Sequence, residues 1–164
     1  MNFNLWGQIW TEEEYLKHTG CKKLRYLLLI YAVKKMRPHI KMLSGNYVTF
    51  EEKSLKSGGS PFCRLCTDVS EPETLEHLIS KCDGISETRF RIINLMNNVC
   101  QQADRNIDLN SFSNRMLAQF VIDPSSMNLR ERVSITHPVL PSLFQLSRDF
   151  CYIIDRKRME KLKL

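Results

Sequence analysis

Pro61-Phe62-Cys63-Arg64-Leu65-Cys66, followed by His77 and then Cys82, is the stretch that decides how this 164-residue chain folds. Its spacing is C-x2-C-x10-H-x4-C. Two thiolates two residues apart on a tight turn present both sulfurs to one ion. A histidine on a helix and a cysteine just past the helix end complete a tetrahedron of three sulfurs and one nitrogen, a set that suits zinc. Pro61 before the turn and Gly84 after the last cysteine suit sharp chain reversals. Zinc held by Cys63, Cys66, His77 and Cys82 would tie the loop after Gly59 to the following helix and contribute folding free energy directly. Four protein ligands leave no position for a reacting water, so the spacing points to a structural site. A redox C-x-x-C would need a strand-to-helix context that the surrounding residues do not offer.

Helix signals surround this segment. Thr11-x-x-Glu14, Thr49-x-x-Glu52 and Ser70-x-x-Glu73 each fit a capping box, in which the hydroxyl accepts from the third amide and the carboxylate reaches back. The second opens a short helix near Phe50 that Gly58-Gly59 stops. The third opens a helix from Glu71 with Pro72 in its first turn, where a missing amide costs nothing. The apolar run Leu24–Val33 predicts a buried helix, and Pro38 predicts a kink or a restart after it. Ile85, Arg89, Ile92, Ile93, Met96, Val99 and Cys100 fall at helical spacing and predict a helix over about 83–102. Further helices are expected over about 111–122, ending at Asp123-Pro124, and about 141–161, with Leu143, Leu146, Phe150, Cys151 and Ile154 as its stripe. Strand candidates are confined to 46–50 and 132–136. The expected fold class is mostly α: an irregular helical domain with one CCHC structural zinc knuckle.

Charge is distributed unevenly along the chain. It carries 24 Lys and Arg against 18 Asp and Glu, a net +6. Between Tyr15 and Phe50 lie Lys17, Lys22, Lys23, Arg25, Lys34, Lys35, Arg37 and Lys41, with no acidic residue. Concentrated positive charge of this kind is the footprint of phosphate binding. Lys22, Lys23, Arg25, Lys34, Lys35, Arg37 and Lys41 are therefore the candidate RNA or DNA contacts, against the plainer reading of a solvated basic face. The metal segment itself is a poor reader of nucleic acid. Between Thr67 and Glu76 it holds Asp68, Glu71, Glu73 and Glu76 and no Lys or Arg, a set that phosphates would repel.

Length and composition fit one globular domain with three parts: basic helical (1–60), zinc-binding (61–83) and C-terminal helices (84–164). The N-terminus lacks the basic and small-residue features of a secretory signal, and the most apolar run is too short to span a bilayer. An intracellular setting, nuclear or cytoplasmic, follows as the expectation, with reduced cysteines and no membrane partner. Cys21, Cys100 and Cys151 read as packing residues, and His18, His39 and His137 as surface or loop residues. The scattered aspartates form no acid–base pair, and neither a Gly-rich phosphate loop nor a nucleophile elbow occurs.

Several non-ligand residues also form a pattern. Leu43-Ser44-Gly45-Asn46, Ser60-Pro61-Phe62-Cys63-Arg64-Leu65-Cys66, Glu73-Thr74-Leu75-Glu76-His77-Leu78 and Cys82 resemble the zinc-binding segment downstream of the polymerase in non-LTR (LINE-like) retrotransposon reverse transcriptases. The likeness covers about 42–91, and the stretch from Phe120 to the C-terminus looks like the tail that ends some of these reading frames. It departs at Asn46, commonly His in the family, and at Asp83, often Pro. The resemblance implies the same four ligands, Cys63, Cys66, His77 and Cys82. Full-length relatives would be RNA-directed DNA polymerases, whereas these 164 residues hold no polymerase, endonuclease or RNase H motif. The expectation is a non-catalytic accessory RNA/DNA-binding fragment or domesticated remnant. The alternative is a zinc-stabilised protein-interaction module that does not bind nucleic acid.

Overall fold

The computed structural model of the chain describes residues 3–5, 8–10, 22–67, 71–126 and 138–162, most of them helical. They divide into two compact units, Met1–Lys35 and Met36–Leu164. The first holds a hairpin of β1 (Phe3–Leu5) and β2 (Gln8–Trp10), antiparallel with Phe3 opposite Trp10 and Leu5 opposite Gln8. Strands of three residues are too short to show the alternation by which a sequence announces a strand. The expected capping box at Thr11–Glu14 lies outside the described residues.

Helix α1 (Lys22–Leu43) begins in the first unit and ends in the second. It does not break at Pro38. Proline forfeits one backbone hydrogen bond and crowds the preceding turn, which disfavours a helix interior. Tertiary burial outweighs that cost here. Pro38, His39 and Met42 are buried in the second unit, and His39 Nε2 lies 2.7 Å from the Ile122 carbonyl oxygen. His39 is thus a buried, hydrogen-bonded core residue and not the surface residue its isolation suggests. His18 and His137 lie outside the described residues.

Gly45, at φ 69°, turns the chain out of α1. Residues 46–49 then form no strand, and α2 (Phe50–Ser57) follows at once. Its capping box is complete: Glu52 N–H donates to Thr49 Oγ1, and Thr49 N–H donates to the Glu52 carboxylate. The other strand candidate, 132–136, lies outside the described residues.

A 3-10 turn (Asp83–Ile85) leads into α3 (Ser86–Ala103). The helix expected from Ser111 is split. A 3-10 turn covers Leu109–Ser111, and α4 (Asn114–Ile122) starts only after Ser113, whose hydroxyl accepts from Met116 N–H. Helix α5 (Val139–Leu162) buries Leu143, Phe150, Cys151 and Ile154, and α3 lies along it with Ile92, Ile93, Met96 and Cys100 inward. Full burial of one such side chain is worth roughly 1.5–3 kcal/mol, so this pair is the main apolar support of the second unit. Among the described residues, no helix is long and apolar enough to cross a membrane.

Candidate metal centre

The C-x2-C turn projects from a short backbone ribbon. Phe62 pairs with Pro72 in an antiparallel bridge, with Cys63 N–H donating to the Glu71 carbonyl (3.0 Å) and Glu73 N–H to the Pro61 carbonyl (2.8 Å). Residues 71–73 are therefore not the first turn of a helix, and Pro72 sits in the bridge. The reason lies at Glu73. Its carboxylate is fully buried, accepting from Phe50 N–H (3.0 Å) and from Arg158 Nη2 (2.8 Å), so it does not cap a local helix. Ser70, the proposed cap, lies outside the described residues. Helical geometry starts after Thr74, whose hydroxyl accepts from His77 N–H at 2.9 Å.

A π-helical turn, His77–Lys81, then carries the chain to the last cysteine. Its wide ring closes with Cys82 N–H on the His77 carbonyl at 2.8 Å, bringing residues 77 and 82 to one side of the turn. Two further contacts fix the segment after Cys82 against the C-x2-C turn. Thr67 donates to the Asp83 carboxylate through both its N–H and its hydroxyl. A Cβ on Gly84 would lie 2.1 Å from the Leu65 carbonyl oxygen, so only glycine allows that approach. From α3, Arg89 Nη1 donates to the Cys82 carbonyl at 2.6 Å.

These elements bring all four predicted ligands together. Cys63 Sγ and Cys82 Sγ are 3.8 Å apart, Cys66 Sγ and Cys82 Sγ 3.5 Å, and Cys66 Sγ and His77 Nε2 3.1 Å. All four ligand atoms lie within 4.8 Å of one another, close enough to hold one metal ion. A tetrahedral ion with metal–sulfur bonds of ~2.3 Å sets its sulfurs ~3.8 Å apart, so the donor set fits such an ion with small adjustments. His77 Nδ1 lies 2.9 Å from Glu71 Oε2, which leaves Nε2 for the ion. A carboxylate on the remote nitrogen fixes the ring's tautomer and orientation. Cys63, His77 and Cys82 are buried, and Cys66 is half-buried.

The electrostatics of the metal-free cluster are those of thiols sharing protons. A hydrogen bond from Cys82 holds the Cys63 thiol down at about 5. The same Cys63 contact, with burial, pushes Cys82 far up, and burial raises Cys66 to about 11. The Thr67 hydroxyl, with the Thr67 amide, holds the Asp83 carboxyl well below the usual carboxylate range. A metal ion bound here would replace the remaining thiol protons.

None of the basic candidates belongs to this cluster. Lys22, Lys23 and Arg25 fall in the first turns of α1, with side chains outside the described residues. In the same helix Lys34, Arg37 and Lys41 are exposed and Lys35 is half-buried. No Asp or Glu occurs anywhere in α1.

The residues that sequence reasoning missed are the supports around the ligands: Glu71, the Thr67–Asp83 clamp, Arg89 and the Glu73–Arg158 pair. Glu71 lies six residues before His77, on the far side of the change from bridge to helical turn, a separation with no local signature, and Arg158 lies 85 residues beyond Glu73. Comparisons with family models, with curated proteins and with solved structures find no match for this chain.

Proposed function

We propose that Cys63, Cys66, His77 and Cys82 bind one structural zinc ion, and that the chain is a non-catalytic accessory module that contacts the backbone of RNA or DNA through α1. The observation that carries the metal part is the convergence of three thiols and one carboxylate-oriented imidazole within 4.8 Å. Zinc supplies no chemistry beyond cross-linking in such a site, because the four protein ligands complete its coordination. Cys63 and Cys66 hold the ion from the turn, His77 and Cys82 from the two ends of the π-helical turn. The metal would thereby join the Pro61–Cys66 ribbon to the core under Leu78 and Ile79.

The nucleic-acid part rests on α1, where exposed Lys34, Arg37 and Lys41 occur in a helix without a carboxylate. Phosphate binding of this kind is sequence-tolerant and weakens with salt. The likeness of the metal segment to the region downstream of a retroelement polymerase agrees with an accessory, non-polymerising role. Titration of the full chain with labelled single- and double-stranded oligonucleotides at several salt concentrations tests the reading. Replacing Lys34, Arg37 and Lys41 by Glu should weaken binding across all sequences and flatten the slope of log K against log salt. A wild-type slope already near zero would contradict it.

A second reading has its own support. Ile40 and Leu43, 53% and 50% exposed, stand on the same helix as Arg37 and Lys41. Apolar side chains gain nothing from phosphates but do gain from a protein surface. On that reading the zinc stabilises a protein-interaction module without nucleic-acid binding. Oligonucleotide titrations that show no binding at low salt would favour it.

A further inference from the structure

Resting on the zinc reading, we infer that Cys66 and Cys82 form a peroxide-sensitive pair whose oxidation releases the metal. Three observations converge on these two sulfurs. Cys66 is the half-buried thiol, whereas Cys63, Cys82, Cys100 and Cys151 are at most 1% exposed. An oxidant arriving from solvent therefore meets Cys66 first. Its sulfur lies 3.5 Å from that of Cys82, nearer than Cys63 lies to Cys82 at 3.8 Å. Two contacts made by protein atoms alone also join the backbone on either side. Thr67 is bonded to the Asp83 carboxylate, and Gly84 packs its Cα against the Leu65 carbonyl. Those two contacts flank the pair and hold residues 66 and 82 together in the folded chain that the oxidant meets.

The chemistry balances with hydrogen peroxide as the named oxidant. The Cys66 thiolate attacks one peroxide oxygen, the O–O bond breaks, and hydroxide departs to take a proton as water. Cys66 is now a sulfenic acid, oxidised by two electrons. The Cys82 thiolate attacks the Cys66 sulfur, an S–S bond forms, and the sulfenic oxygen leaves as hydroxide, again protonated to water. The sum is two thiolates, one peroxide and two protons converted to one disulfide and two waters, with the zinc unchanged in oxidation state. Only Cys63 and His77 then remain as ligands, two of the four that a structural site needs. Reduction by a phosphine or a dithiol returns both thiolates and the metal-binding site.

Zinc content of the full chain is measured first, then peroxide is added in the presence of a zinc-sensitive dye. The expected result is one zinc released per chain with loss of two free thiols, a Cys66–Cys82 cross-linked peptide after digestion, and rebinding of zinc after reduction. Cys66→His keeps four ligand side chains but cannot form the bond, so its release should be slower by about tenfold or more, as expected when the accessible thiolate is gone. A Cys63–Cys66 or Cys63–Cys82 cross-link, sulfinic acid without a disulfide, or unchanged release from the Cys66→His chain would overturn the pairing while leaving the zinc site intact. A chain that binds no zinc overturns both readings together.

Discussion

Residues 61–84 and the α3–α5 pair solve the same problem by different means. The helical pair is held by apolar side chains at regular spacing, with Met96, Leu143, Phe150 and Ile154 fully buried. The 61–84 segment has a two-residue ribbon, a π-helical turn and a 3-10 turn, and beside Leu65, Leu78 and Ile79 it buries polar and ionisable groups. Cys63, Glu73, His77 and Cys82 are buried there at 5% exposure or less. Burying such groups is costly unless each finds a partner. The helical pair can fold on hydrophobic burial, whereas the segment depends on partners for its polar groups: Arg158 for Glu73 and, on the proposed reading, an ion for the thiols.

The largest effect should therefore come from removing the ion. Structural zinc binding carries about 10–16 kcal/mol of apparent free energy in small sites. Chelation, or Cys82→Ser, should abolish amide-exchange protection over 61–84 while protection over α3 and α5 falls less. Equal loss in both regions would show that the two are one cooperative unit and break the comparison.

On the apolar side, Phe150→Ala removes a fully buried ring and should cost about 3–5 kcal/mol in denaturant unfolding. Its zinc affinity should change little. Next comes the buried ion pair that fastens the segment to α5. The Arg158 guanidinium also stacks over Phe50 and Tyr47, 4.6 and 5.4 Å from the ring centres. Glu73→Ala leaves that cation without its carboxylate, and breaking such a pair costs about 3–5 kcal/mol. The double replacement Glu73→Leu with Arg158→Met should recover much of the loss, since desolvation offsets most of what a buried pair gains. A double mutant no better than Glu73→Ala would assign the effect to packing alone.

Metal affinity supplies two finer tests. Glu71→Gln should weaken zinc binding by about 10–100-fold through the loosened His77 ring. Rising pH should strengthen binding. Cys66 at about 11 and Cys82 above the ordinary thiol range are protonated near neutrality in the metal-free chain, whereas Cys63 at about 5 is already ionised. Binding thus displaces about two thiol protons, and affinity should rise about a hundredfold per pH unit between pH 7 and 8. A rise near a thousandfold would mean that Cys63 is protonated too.

Legibility in the sequence follows the same divide. Helices α2, α3 and α5 were readable because their signals are local: the Thr49–Glu52 box, and apolar residues three and four apart. The convergence of Cys63, Cys66, His77 and Cys82 was readable because tetrahedral coordination by a C-x2-C turn constrains spacing tightly. Glu73 misled for a physical reason. Its capping-box pattern is local, but Arg158 and the Phe50 amide outcompete the local amide for its carboxylate. Pro38 and His39 misled likewise, since burial against residues near Ile122 is invisible at short range. Glu71 carried no signal because the backbone changes from an extended bridge to a helical turn between it and His77, so neither period points one at the other.

Metal analysis of the purified full chain, coupled to a chelator melt, tests the proposed zinc at Cys63, Cys66, His77 and Cys82 most directly. One zinc per chain is expected, with a lowered unfolding temperature when a strong chelator removes it. A chain that carries no zinc, does not take it up, and melts at the same temperature with and without chelator would contradict the proposal.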